Sequence, residues 1–220
     1  MFAKIKDPVS SLTHLAFAIL AVPCTAVFLC FAVRNAIESK SGAVAQIVGL
    51  AVFGLTLFLL YTASAVYHML NVSDRASNIL RRIDHIMIFV LIAGTYTPVC
   101  LVTLRGAWGT TLLVLIWLIA LAGVLLKVFW FNMPRWLSSA IYVVMGWLAV
   151  IAFYPLVQTI HWDGALLLVA GGLTYTLGAV IYALKWPRLA GPVFGFHELF
   201  HLFVMGGTVL NIVFMFKYVL

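Results

Sequence analysis

Of the 220 residues, 65% are hydrophobic and 9% charged, with a mean hydropathy of +1.16, whereas soluble domains hold about 45–50% apolar residues; a water-soluble fold is excluded. A net charge of +7 would suggest nucleic acid in a soluble chain, but these basic residues lie between apolar runs, where they set topology, so no nucleic-acid partner is expected. Cys24, Cys30 and Cys100 fall inside apolar runs without CxxC spacing, which excludes a disulfide framework or thiolate cluster.

A membrane span needs about 20 apolar residues, and the chain offers seven such runs. The first is expected at 14–33. Lys4 and Lys6 ahead of it resemble a signal peptide, but the run from Leu15 to Val33 has no cleavage site and reads as a retained span. After Arg34–Gly42 the second span, 43–70, closes on Tyr67-His68; after Asn71–Arg82 the third, 83–104, opens on Asp84 and His85. Arg105–Gly106 leads to a fourth at 108–131, Asn132–Arg135 to a fifth at 136–157, and Gln158–Gly164, with His161 and Asp163 as a solvated turn, to a sixth at 165–184. Beyond Lys185–Pro192 the seventh, 197–219, starts with His197-Glu198-Leu199-Phe200-His201. No internal repeat interrupts the series, so one all-α transmembrane domain over residues 1–220 is expected.

Lys and Arg are retained on the cytoplasmic side of short loops. Lys4, Lys6, Arg75, Arg81, Arg82, Lys127, Arg135, Lys185 and Arg188 fall on the N-terminal side, against Arg34, Lys40, Arg105 and Lys217 opposite. This predicts a cytoplasmic N-terminus and, with seven spans, a C-terminus outside.

Ionisable groups inside spans are costly unless partnered, which makes each a functional candidate. In this topology His68, Asp84, His85, His197, Glu198 and His201 all reach the cytoplasmic level. His197 and His201 share a helix face at i, i+4, with about 5–6 Å between Cβ atoms. His68 at the same depth completes three imidazoles with an open position, the arrangement of catalytic zinc. Ser64 lies on the face of His68, and Asp84 is placed to orient a ligand or a water.

Each residue also has a plainer reading. His68 can be a helix C-terminal histidine favoured by the dipole; Asp84 can pair with Arg81 or Arg82, or cap a helix; His197 and His201 can form a structural polar contact, and Ser64 can serve packing. The shared depth of all five favours the metal reading. His14 and His85 carry no assigned role. The string from His197 to His201 also fits the HExxH pattern of zinc proteases, with Glu198 as base. Membrane proteases of that type take a further ligand from an Asp-Gly pair, and Asp163-Gly164 is expected a bilayer away.

Four motifs in order resemble the hemolysin III family, bacterial relatives of the adiponectin and progestin receptors and, more distantly, of alkaline ceramidases. They are Asp7-Pro8-Val9-Ser10-Ser11-Leu12-Thr13-His14, Ser64-Ala65-Val66-Tyr67-His68, Asp84 followed by Ala93-Gly94-Thr95-Tyr96-Thr97-Pro98, and His197 through Val204. The resemblance spans nearly the whole chain. It implies a seven-helix protein of the bacterial inner membrane with zinc held by His68, His197 and His201, accompanied by Ser64 and Asp84. Asn211 departs from relatives that have histidine there, and Glu198 is not implied as a catalytic residue.

The expected activity is zinc-dependent hydrolysis of an amide in a lipid-like substrate that enters from the bilayer or between helices, with Asp84 accepting the proton of water and Ser64 steadying the oxyanion. The alternatives are a receptor-like or membrane-homeostasis protein with structural zinc, and a pore-forming cytolysin. Against the last, no span carries a polar stripe adequate for an aqueous lumen.

Overall fold

A computed structural model describes residues 5–38, 41–130, 132–188 and 194–220. Lys4, Lys40 and the 189–193 part of the last expected connection lie outside them. The described residues are helical, without a strand. Six stretches are long and apolar enough to cross a membrane, and the chain is a multi-pass membrane protein.

Helix α1 spans Pro8–Ile37, with Pro8 in its first turn, where the missing N–H has no helical partner to lose. It starts ahead of the apolar run because its polar residues turn inward. Ser10 and Ser11 are buried, and the Ser11 and Thr13 hydroxyls donate back to the carbonyls of Pro8 and Val9. Helix α2 runs Ala43–Met69 and α3 Asp74–Pro98, where Ser73 accepts from the Ala76 amide at the N-terminus. The first turns of α3 are polar, which is why the apolar pattern placed its start later.

Pro98 cannot donate to the helical ladder, and the chain continues from it into a π-helical turn, Val99–Thr103. Helix α4, Ala107–Phe129, follows Gly106, whose φ of 81° lies in the left-handed region that favours glycine. Helix α5, Arg135–Gly146, tightens into a 3₁₀ segment, Trp147–Ala152, before α6, Phe153–Leu184. Within the expected turn at 158–164 helix persists on both sides of one non-helical residue, His161 (φ 56°, ψ −179°). Helix α7 spans Phe196–Phe214 and ends in a second π turn, Met215–Val219.

Most sequential helices pack as neighbours, α4 meeting α3 and the 3₁₀ segment after α5, and α1 also packs on α7, so the first and last helices meet. In lipid, close backbone approach through small residues drives such packing. A methyl added at Gly54 would overlap Thr25 of α1, and one at Gly94 would overlap Thr56 of α2. At one end of the molecule Asn35 donates to Gln46 (3.0 Å), and Gln46 donates to the Val219 carbonyl (2.8 Å), which ties α1 and α2 to the end of α7. The functional candidates gather at the other end.

Candidate metal centre

The C-terminal turn of α2 and the N-terminal turns of α7 bring His68, His197 and His201 together, with one ligand atom from each within 4.8 Å of the others. His68 and His201 are buried, and their ring centroids are 5.0 Å apart. The Nε2 atoms of His68 and His197 approach to 3.3 Å. Nitrogens bound at 2.0–2.1 Å to a tetrahedral zinc stand about 3.3–3.4 Å apart, so this spacing fits a shared ion. The Nδ1 of His201 is buried without a hydrogen-bond partner. The donor set, three imidazoles, suits zinc and other first-row divalent metals.

His68 is oriented from behind. Its Nδ1 lies 2.8 Å from Oδ2 of Asp7, and because a carboxylate only accepts, Nδ1 carries the hydrogen and Nε2 keeps its lone pair facing the other histidines. That hydrogen bond holds the Asp7 carboxyl below its ordinary pKa. The Asp7 amide also donates to the His68 carbonyl (2.9 Å), so the residues leading into α1 are fastened across the end of α2. A carboxylate behind a ligating imidazole fixes its tautomer and raises its basicity. Spacing along the chain carried no sign of this contact, which bridges 61 residues; Asp7 stood in the opening motif without a role.

Asp84 lies well inside α3, which begins at Asp74, so it does not cap the helix. Its side chain lies close to Ser64 and His68 of α2. The five candidate residues therefore occupy one end of the bundle, across α2, α3 and α7. His85 stands apart from the histidine group, and its backbone carbonyl accepts from the Tyr142 hydroxyl (3.1 Å).

Glu198 has local work. Its Oε2 accepts from the Gly195 amide (2.8 Å), capping α7, and its Oε1 accepts from Ser10 of α1 (3.0 Å). The Asp163 carboxylate accepts from Tyr218, in the π turn at the far end of α7 from His197; a separation of 21 positions along the helix puts about 30 Å between them. The protease arrangement is thus not assembled.

His14 is the residue that patterning left without a role. It is buried, stacked on His201 with centroids 3.9 Å apart and planes 16° apart, and edge-on to Tyr61 at 5.0 Å. Neither ring nitrogen has a hydrogen-bond partner.

A family model described as "Haemolysin-III related" matches residues 2–212. The chain is 36% identical over 199 residues to Hemolysin-3 of Bacillus cereus, covering 90% of this chain and 85% of that protein. It is also 36% identical over 208 residues to the Hemolysin-3 homolog of Bacillus subtilis (strain 168), covering 94% and 92%. A more distant similarity, 26% over 174 residues and covering 76% and 68%, reaches Monocyte to macrophage differentiation factor of Homo sapiens. With the match running across nearly the whole chain, this membrane protein belongs to the haemolysin-III-related family.

Proposed function

We propose that the protein is a zinc-dependent hydrolase acting on an amide of a lipid-like molecule, with His68, His197 and His201 as metal ligands, Asp84 as general base, and Ser64 as its partner. The observation that carries this reading is the convergence of three imidazoles beside a carboxylate–hydroxyl pair within an apolar bundle. Zinc held there supplies Lewis acidity, polarising the carbonyl and lowering the pKa of water toward about 7.

The chain's own residues do the remaining work. Asp84 takes a proton from water as its oxygen bonds to the carbonyl carbon, and returns that proton to the nitrogen as the C–N bond breaks, leaving a carboxylic acid and an amine. Ser64, beside Asp84, is placed to direct its carboxylate, and its hydroxyl is the group available to steady the oxyanion. Asp7 holds His68 in the tautomer that presents Nε2.

The proposal includes one seven-span domain with a cytoplasmic N-terminus and an outer C-terminus. Its support is the 50-residue stretch Arg135–Leu184, which at 1.5 Å per residue would run about 75 Å, twice a bilayer core of about 30 Å. Both ends of that stretch lie near the histidines. The Arg135 guanidinium sits 5.5 Å over the Tyr182 ring, which is 5.7 Å from the ring of His197. Its middle, at Asp163, meets Tyr218 at the opposite end, and the break at His161 then separates a fifth from a sixth span.

The reading is tested with Asp84→Asn. The variant is expected to keep its zinc while losing about 10²–10⁴-fold in fatty acid release from N-acyl lipids, the usual range for a general base. Turnover equal to the wild type would remove Asp84 from the mechanism. Loss of zinc from the variant would favour the alternative of a structural site in a non-enzymatic protein, for which the knitting of α1, α2 and α7 around the histidines speaks.

A further inference from the structure

A cavity of about 350 Å³ opens on the lipid-facing side between α1, α2 and α7, walled by Phe17, Ala21, Val27, Tyr61, Val209 and Phe216 among others. The only oxygen atoms on its lining side chains are the hydroxyls of Tyr61 and Thr208, and these bond to each other at 2.7 Å. Its interior therefore offers an occupant apolar contact alone. Ala21 and Leu57 form a buried floor, while Leu20, Val27, Val209 and Phe216 stand exposed at the rim.

Two further observations say what fits. Phe17 and Val27, both on the lining, are about 15 Å apart along α1, so the cavity has the length of a medium acyl chain, and its volume lies at the low end of ligand sites, which begin near 300 Å³. One end also adjoins the histidine cluster. Tyr61 touches both Phe17 (5.1 Å) and His14 (5.0 Å), and His14 stacks on His201. His14 and Phe17, at i and i+3, share a helix face, so the groove ends one turn from His14, which is buried behind Tyr61 and off the lining.

We propose that this groove holds the acyl chain of the substrate, its polar end at Phe17 and Tyr61, toward the histidine cluster, and its methyl end at Val27 and Phe216. The placement rests on the reading of a lipid-like substrate and adds where it enters, namely from the bilayer past α1 and α7.

The test uses the full-length protein in lipid nanodiscs with two photoreactive fatty acids, one with the diazirine near the carboxylate and one near the methyl terminus. The first is expected to label residues around Phe17 and Tyr61, the second residues around Val27 and Phe216. Val209→Trp, on the exposed rim, and Ala21→Phe, on the floor, should each lower labelling about tenfold, as filling a packed site does. Leu177→Trp, on the lipid-facing side of α6 and outside the groove, should leave it unchanged. Labelling spread evenly over the lipid-facing helices, a reversed order of the two probes, or indifference to both groove variants would overturn the proposal. Labelling needs no turnover, so the two ideas separate. Groove labelling without hydrolysis of any N-acyl lipid supports the groove and sinks the hydrolase. Hydrolysis with the chain-length preference unaltered by Val209→Trp does the reverse.

Discussion

At the level of single residues, the centre depends as much on the groups behind the histidines as on the histidines themselves. The Asp7–His68 hydrogen bond predicts that Asp7→Asn weakens zinc affinity by about 10–100-fold, the usual effect of losing such a partner, while the three ligands stay in place. Chelator competition on the purified variant measures this, and wild-type affinity would deny Asp7 the role. The three histidines were legible as one group from spacing, because helix periodicity and span direction set depth. Asp7, His14 and Ser10 were not. Their partners lie on α2 and α7, far along the chain, and no local pattern announces a contact made only when α1 closes against the last helix. Glu198 shows the converse error that a short motif invites, since its carboxylate caps a helix and receives a hydroxyl.

Among the helices, side chains repair the backbone where the helix departs from regular form. Between α5 and α6 the Tyr96 hydroxyl accepts from the Ala149 amide (2.9 Å) and donates to the Gly146 carbonyl (2.6 Å), satisfying groups that lipid cannot. Tyr96→Phe is accordingly expected to cost about 1–3 kcal/mol of stability, the penalty for leaving buried polar groups unpaired. Unfolding in mixed micelles measures it, and an unchanged stability would show that the 3₁₀ segment supports itself. Hydropathy located the helices well, and it set the ends of α2, α4 and α7 within two residues. It placed α1 and α3 to start late, because Ser10, Ser11 and Thr13 bury or back-bond their hydroxyls and the first turns of α3 are polar. The sharp bend at His161 was read as a seven-residue turn, and a single residue in an unusual conformation accomplishes it.

For the whole molecule, the two ends do different work. One is sealed by Asn35, Gln46 and the last residues of α7, while the other collects Asp7, His14, His68, Asp84, His197, Glu198 and His201. The proposed orientation turns the histidine end to the cytoplasm. A reporter fused after Leu220 should therefore signal from outside, and a cytoplasmic signal would invert or recount the spans. The proposed orientation rests on the charge balance alone, to which helix packing is indifferent.

The proposed hydrolase depends on the histidine cluster holding a metal. Protein purified without chelators should contain about one zinc per chain, and His68→Ala, His197→Ala and His201→Ala should each lose most of it. Metal-free wild type, or full zinc retained in all three variants, would contradict the account.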